Sequence, residues 1–223
     1  MQKEPGMMPS TDNTLEQAVL ALAERQPLLR ARDLVKQGLP TMVLSRLVAA
    51  GKLERVARGV YSLQGRIPSE HRSLAESALR VPRGVVCLLS ALHVHDIGTQ
   101  APFEVWMAIP PHTPTLRLDH PTLRVVRMSG AALTAGVEHM EIDGVQVPVF
   151  NLAKTVADCF KYRNKIGLDV ALEALRDGWS QRRLTMDTLW HYAIVNRVTN
   201  LMRPYLESVT TRAAISPPPF GLG

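Results

Sequence analysis

Two cysteines are all that this 223-residue chain contains, and they exclude more than they suggest. Cys87 and Cys159 follow no C-x-x-C spacing and both lie among apolar neighbours. They predict neither a disulfide framework nor a thiolate metal site, but buried free thiols in a reducing compartment. No segment reaches the ~18 consecutive apolar residues of a membrane span, and MQKEPGMMPSTDN has no hydrophobic signal core. A cytoplasmic protein with no membrane partner is expected. The chain also lacks a P-loop, a G-x-S-x-G elbow and any Cys/His pair placed as a nucleophile. His93 and His95 stand two apart, a spacing that on a helix sends the imidazoles to different faces, and no other Cys/His pair has ligand spacing. No metal and no cofactor are therefore expected. Ser129-Gly130 and Glu141-Ile142-Asp143 hold the residue types of a Gly-Ser and paired-acid metal signature. The Gly-Ser order is reversed, however, and Asp143 is explained by an Asp-Gly turn. No catalytic residue is predicted.

What the chain does have is positive charge, unevenly placed. Its formal charge is +6, and its hydrophobic content of 46% can fill a core in one large or two small domains. Residues 24–66 hold nine basic side chains (Arg25, Arg30, Arg32, Lys36, Arg46, Lys52, Arg55, Arg58 and Arg66) against Glu24, Asp33 and Glu54. That segment alone accounts for the whole excess. A localised excess of this kind attracts polyanions and speeds association with DNA; the alternative is a solvated basic surface.

The same stretch has a readable local structure. Thr14-Leu15-Glu16-Gln17 matches a capping box for a first helix with Leu15, Val19 and Leu22 on its buried face. Residues 31–37 form a second helix closed by Gly38. Thr41 is positioned to cap a third, in which Leu44, Leu47 and Val48 make the buried stripe while Met42, Ser45, Arg46 and Ala49 share another face. Gly51 suits the helix C-terminus. Leu53–Val56 and Val60–Leu63 then flank Ala57-Arg58-Gly59 as a basic hairpin. A helix-turn-helix followed by such a hairpin is a winged helix-turn-helix. Its third helix lies in the major groove, where Thr41, Met42, Ser45 and Arg46 meet base edges, Arg46 as a fork onto guanine. Lys52, Arg55 and Arg58 on the wing, with Arg32, face phosphates or the minor groove.

A disordered tail is expected at 1–11, the winged head at 12–66, an α+β effector domain at 67–210 and a flexible Pro-rich tail at 211–223. The effector domain reads as a helix near 69–81, strands at 104–109 and 123–127, and a hairpin of 137–142 with 145–150 around Asp143-Gly144. Helices follow from Asn151, the last near 186–208, with a small antiparallel sheet expected overall. Lys154 and Asp158, four apart, read as a weak ion pair on a solvated helix face together with Lys161, contributing a few tenths of a kcal/mol.

The run GLPTMVLSRLVAAGKLERVARGVYSL resembles the N-terminal winged helix of AbiEi-family antitoxins, transcriptional autorepressors of type IV toxin–antitoxin operons. The matching pieces are Gly38, Leu44-Ser45-Arg46-Leu47-Val48, Gly51, Leu53-Glu54-Arg55-Val56 and Arg58-Gly59-Val60-Tyr61. The segments SALHVHDIG and VPVFNLAKTVAD resemble the family's C-terminal region. Pro40-Thr41-Met42-Val43 departs from the polar residues that usually open the third helix, and Arg30 replaces a usual Ser or Thr cap. The resemblance implies binding to inverted repeats in double-stranded DNA at the protein's own promoter, a possible dimer on that DNA, and neutralisation of a nucleotidyltransferase-like toxin without a required stable complex. Two other classes fit the composition: an enzyme acting on nucleic acid or nucleotides that a winged head delivers, and a protein-interaction module.

Overall fold

The computed structural model describes residues 11–114 and 120–215. The chain divides into two compact units, one of Met1–Arg72 with Glu141–Val145, the other of Ser73–Met140 and Gln146–Gly223. The expected tails fall largely outside the described residues, although Thr11 already opens the first helix and the last helix continues to Ile215.

The first unit contains α1 (Thr11–Arg25), β1 (Leu29–Arg30), α2 (Ala31–Lys36), α3 (Met42–Ala49), β2 (Leu53–Ala57) and β3 (Val60–Leu63). Its three strands run antiparallel in the order β1-β3-β2. This is a winged helix-turn-helix, and its core is Val19, Ala23, Leu29, Leu34, Val43, Leu44, Leu47 and Leu53. Because α1 begins at Thr11, Thr14 is an exposed residue inside the helix rather than its cap. Thr41 precedes α3 in helical conformation and its side chain makes no capping bond. The turn is closed instead by Val43 and Leu44 amides bonding to Pro40 and Thr41 carbonyls. Gly38 (φ +72°) makes the backbone reversal between α2 and α3, conformational space that a β-carbon resists. Arg30 at the α2 N-cap likewise forms no capping bond; its guanidinium donates to Asp33 at 3.0 Å. At the other end of α1, Arg66 Nη1 donates to the Ala23 carbonyl at 2.9 Å, satisfying one of the acceptors a helix end leaves open.

The second unit begins with α4 (Arg72–Arg80), β4 (Val85–Val86) and α5 (Leu88–Val94). It continues through β5 (Val105–Ile109), β6 (Leu123–Arg127), α6 (Ala131–Thr134), β7 (Val137–Ile142) and β8 (Val145–Phe150). It ends in α7 (Leu152–Lys161), α8 (Arg163–Ile166), α9 (Leu168–Ser180), α10 (Met186–Asn196) and α11 (Thr199–Ile215). The five strands are ordered β6-β5-β4-β8-β7. The sheet is mixed rather than purely antiparallel, since β4 runs parallel to β8 and β5 parallel to β6, whereas β4 and β5 are antiparallel. Asp143 (φ 49°) and Gly144 (φ 74°) form the expected two-residue turn between β7 and β8. The single last helix read from the sequence is two helices, broken where Arg197 adopts the left-handed conformation (φ 58°).

The centre of this unit is α7, which packs against α5, α9, α10 and α11. Residues 152–160 are all buried, and here the sequence reading of Lys154 and Asp158 is overturned. Both side chains are 0% exposed. Lys154 Nζ donates to both Asp158 oxygens at 2.6 Å and lies 4.2 Å from the Phe150 ring centroid. Asn196 Nδ2 donates to Asp158 at 2.8 Å. Burial pulls the lysine down and the aspartate up, each opposed by its attraction to the other. Such a pair is held by coordination, because neither charge has water to return to.

Candidate nucleic-acid interface

The buried side of α3 is Val43, Leu44 and Leu47. With about 100° of rotation per residue, the opposite side is centred on Met42, Ser45 and Ala49, and all three are exposed, Met42 at 71%. Thr41 is exposed beside them. Apart from hydroxyls, this outward face is apolar and uncharged.

Arg46 stands on the flank of α3 toward α1. Its guanidinium makes a two-point contact with Asp12 in the first turn of α1, Nη1 to Oδ2 at 2.9 Å and Nη2 to Oδ1 at 3.2 Å. Its Nε is shielded from solvent without a hydrogen-bond partner. The hydrogen bond and the positive charge of Arg46 hold the Asp12 carboxyl below its ordinary range. Lys52, just after α3, lies 3.8 Å from Glu16 on the same helix α1. Thus two of the expected DNA-facing cations are occupied by acids of α1. The helical-wheel position of Arg46, next to the buried stripe rather than opposite it, is the sequence signal for this; the pairing with Asp12, 34 residues earlier, has no local signature.

The wing differs. Ala57 pairs with Val60, so Arg58-Gly59 is a two-residue turn, with Gly59 at φ +73°. A register shift between Arg55 and Ala57 marks a bulge in β2, and Arg55 and Arg58 are both exposed. Arg32, on α2, is exposed too. Among the described residues these three arginines make no ion pair, so their charge is available to an anion. Sequence reasoning missed β1, whose two residues pair with Val60 and Tyr61 and make the wing a three-stranded sheet.

Among the described residues, no cluster of three His, Cys, Asp or Glu could hold a metal, and no helix is long and apolar enough to cross a membrane. His95, at the end of α5, is buried with its Nε2–H donating to the Phe150 carbonyl at 2.8 Å, and burial holds its pKa below 6.5. Cys87 and Cys159 are free and buried, and burial pushes both thiols up, opposite to what a nucleophile requires.

A three-stranded wing on a helix-turn-helix defines the first unit as a winged-helix domain. Residues 17–64, within the head, match the family model described as "Transcriptional regulator, AbiEi antitoxin". In fold, the chain is similar to the RV2827C protein from Mycobacterium tuberculosis, known from its crystal structure. The TM-score is 0.58 at 15% identity, over 89% of this chain and 81% of that one. No curated protein sequence matches the chain.

Proposed function

We propose that the protein is a DNA-binding transcriptional repressor that controls its own operon and serves as the antitoxin to a nucleotidyltransferase-like toxin. In this reading residues 12–66 are the DNA-binding head and 67–210 the effector part, without enzymatic activity and without a metal or cofactor, working in the cytoplasm. The observation that carries it is the coincidence of three things in one segment: the AbiEi regulator match over residues 17–64, the winged helix itself, and the entire +6 excess of the chain. Helix α3 enters the major groove with Thr41, Met42 and Ser45 toward the bases. Arg32, Arg55 and Arg58 neutralise phosphates. Lys52 and Arg46 join them by exchanging Glu16 and Asp12 for phosphate oxygens, a small cost because exposed ion pairs contribute only about 0.2–1 kcal/mol. Repression is occlusion. Inverted repeats take two heads about 34 Å or a multiple apart, whether the chain is dimeric beforehand or pairs on the DNA.

An electrophoretic shift on the DNA upstream of the gene tests this. Arg55→Ala/Arg58→Ala should weaken all duplexes alike and reduce the slope of log K against log salt by up to ~1 for each phosphate no longer neutralised. An unchanged slope and affinity removes the wing from the interface. Co-expression with the adjacent reading frame tests the antitoxin role: toxicity relieved by this chain is expected, and no relief refutes it.

A further inference from the structure

We propose that the head selects its operator chiefly through thymine methyl groups, contacted by Met42 and Ala49, rather than through a guanine-reading arginine. This rests on the reading of the head as a DNA-binding domain and specifies what it recognises.

Helix α3 has few side chains to offer a groove. Val43, Leu44 and Leu47 are committed to the core. The side turned away from that core holds Met42, Ser45 and Ala49, with Thr41 at its start, all exposed. Arg46 is the one charged residue in α3 (Met42–Ala49), and it is tied sideways to Asp12 by a hydrogen bond and an ion-pair contact. To fork onto a guanine it would have to leave both and swing away from α1. Asp12, 67% exposed, would remain beside it as a negative charge near the DNA. A phosphate at the groove edge is within the reach of such a flanking arginine without that rearrangement; a base edge at the centre of the groove belongs to Met42, Ser45 and Ala49.

The major groove presents donors, acceptors and one apolar group, the C5-methyl of thymine. Hydroxyls of Thr41 and Ser45 both donate and accept, so they bond to any base pair and discriminate little. A thioether side chain and a methyl group offer no polar bond, and a methyl is the only group on a base edge that they pack against favourably. Discrimination by this face therefore falls on thymine. Exposure of Met42 at 71% also gains a purpose, since a flexible thioether adapts to an apolar partner of variable position.

The full chain is presented with a random duplex library to obtain its preferred site, and single thymines of that site are then replaced by deoxyuridine, which removes only the methyl. The expected result is a thymine in each half-site whose replacement weakens binding about fourfold, from ~0.8 kcal/mol per buried methyl-sized group. Met42→Ala should weaken binding to thymine DNA by a similar factor and become indifferent to uracil at that position. Circular dichroism should show Met42→Ala folded as the wild type, the side chain being outside the core. A site built on guanine, whose preference disappears in Arg46→Ala while every uracil replacement is silent, overturns the proposal and leaves DNA binding intact. Failure of the folded protein to prefer any duplex overturns both.

Discussion

Replacing Asp158 by Ala is the sharpest test of the second unit's interior. The substitution leaves Lys154 Nζ, now bonded to both carboxylate oxygens at 2.6 Å, with the Phe150 ring as its remaining partner. It also strips Asn196 of the acceptor for its Nδ2, on a side chain whose Oδ1 is already unpartnered. Breaking a buried pair in this way costs about 3–5 kcal/mol, a large share of the 5–15 kcal/mol that typically holds a domain. Removing both charges should be far milder: Lys154→Met/Asp158→Leu is expected within about 2 kcal/mol of the wild type, on either side. Trp106, Trp179 and Trp190 all belong to the second unit, so tryptophan fluorescence in urea reports on it selectively. Burial already depresses Lys154 below 10.5, and loss of Asp158 depresses it further. A group depressed on folding contributes stability above its unfolded pKa and loses it as pH falls through the folded value. The deficit of Asp158→Ala should therefore shrink toward alkaline pH. A loss below about 1 kcal/mol, the behaviour of a solvated pair four residues apart, would refute the reasoning.

Gly136→Ala should destabilise the same unit by about 1–3 kcal/mol, because Gly136 has φ +73° and a β-carbon there would meet Lys154 Cβ and the Tyr192 hydroxyl at 2.9 Å; thermal denaturation checks it, and a neutral result contradicts the packing described. His95 is buried with its pKa held below 6.5, so its contribution is complete above 6.5 and is lost as pH falls through the folded value. Urea midpoints between pH 7.5 and 5 should fall for the wild type and fall less for His95→Gln. Asp12→Asn removes a carboxylate from beside Arg46 and should strengthen association with any duplex by a few-fold at low salt, less at high salt; weaker binding would mean that Asp12 positions Arg46 for DNA.

Where the physics is local, the sequence is legible. Gly38, Gly51 and the Arg58-Gly59 and Asp143-Gly144 turns each place a residue in left-handed backbone, which a glycine enters without the cost a β-carbon adds. Apolar spacing marks α1 and α3 of the head, and Gly38 marks the end of α2. Two-residue β1 has no period to read, and its pairing with β3 is a tertiary fact. Thr14 looks like a cap because the capping pattern is short enough to arise inside a helix that begins at Thr11. Lys154 and Asp158 mislead for a similar reason, since four-residue spacing is the same on a surface and in a core. Leu152, Ala153, Val156, Ala157, Cys159 and Phe160 share one side of α7 and Lys154, Thr155 and Asp158 the other, the pattern of a half-exposed helix, so the burial of the polar side comes from tertiary packing that no local period carries. Around Arg46 the wheel places the side chain on a flank, but Asp12 reaches it only through the packing of α1 on α3. That α3 opens with Pro40-Thr41-Met42 rather than a polar cluster is plain in the sequence. Its consequence for the groove requires knowing which side chains the core leaves outside.

Binding of DNA by the winged head, with a preference for one sequence, is measured by fluorescence anisotropy on the full chain. The duplex upstream of its gene is compared with a scrambled duplex of equal composition across a salt series. Tighter binding to the upstream duplex is expected, with two heads per inverted repeat and affinity for both duplexes that falls linearly in log–log form with salt. Equal affinity for the two duplexes at every salt concentration would mean that the head does not read sequence.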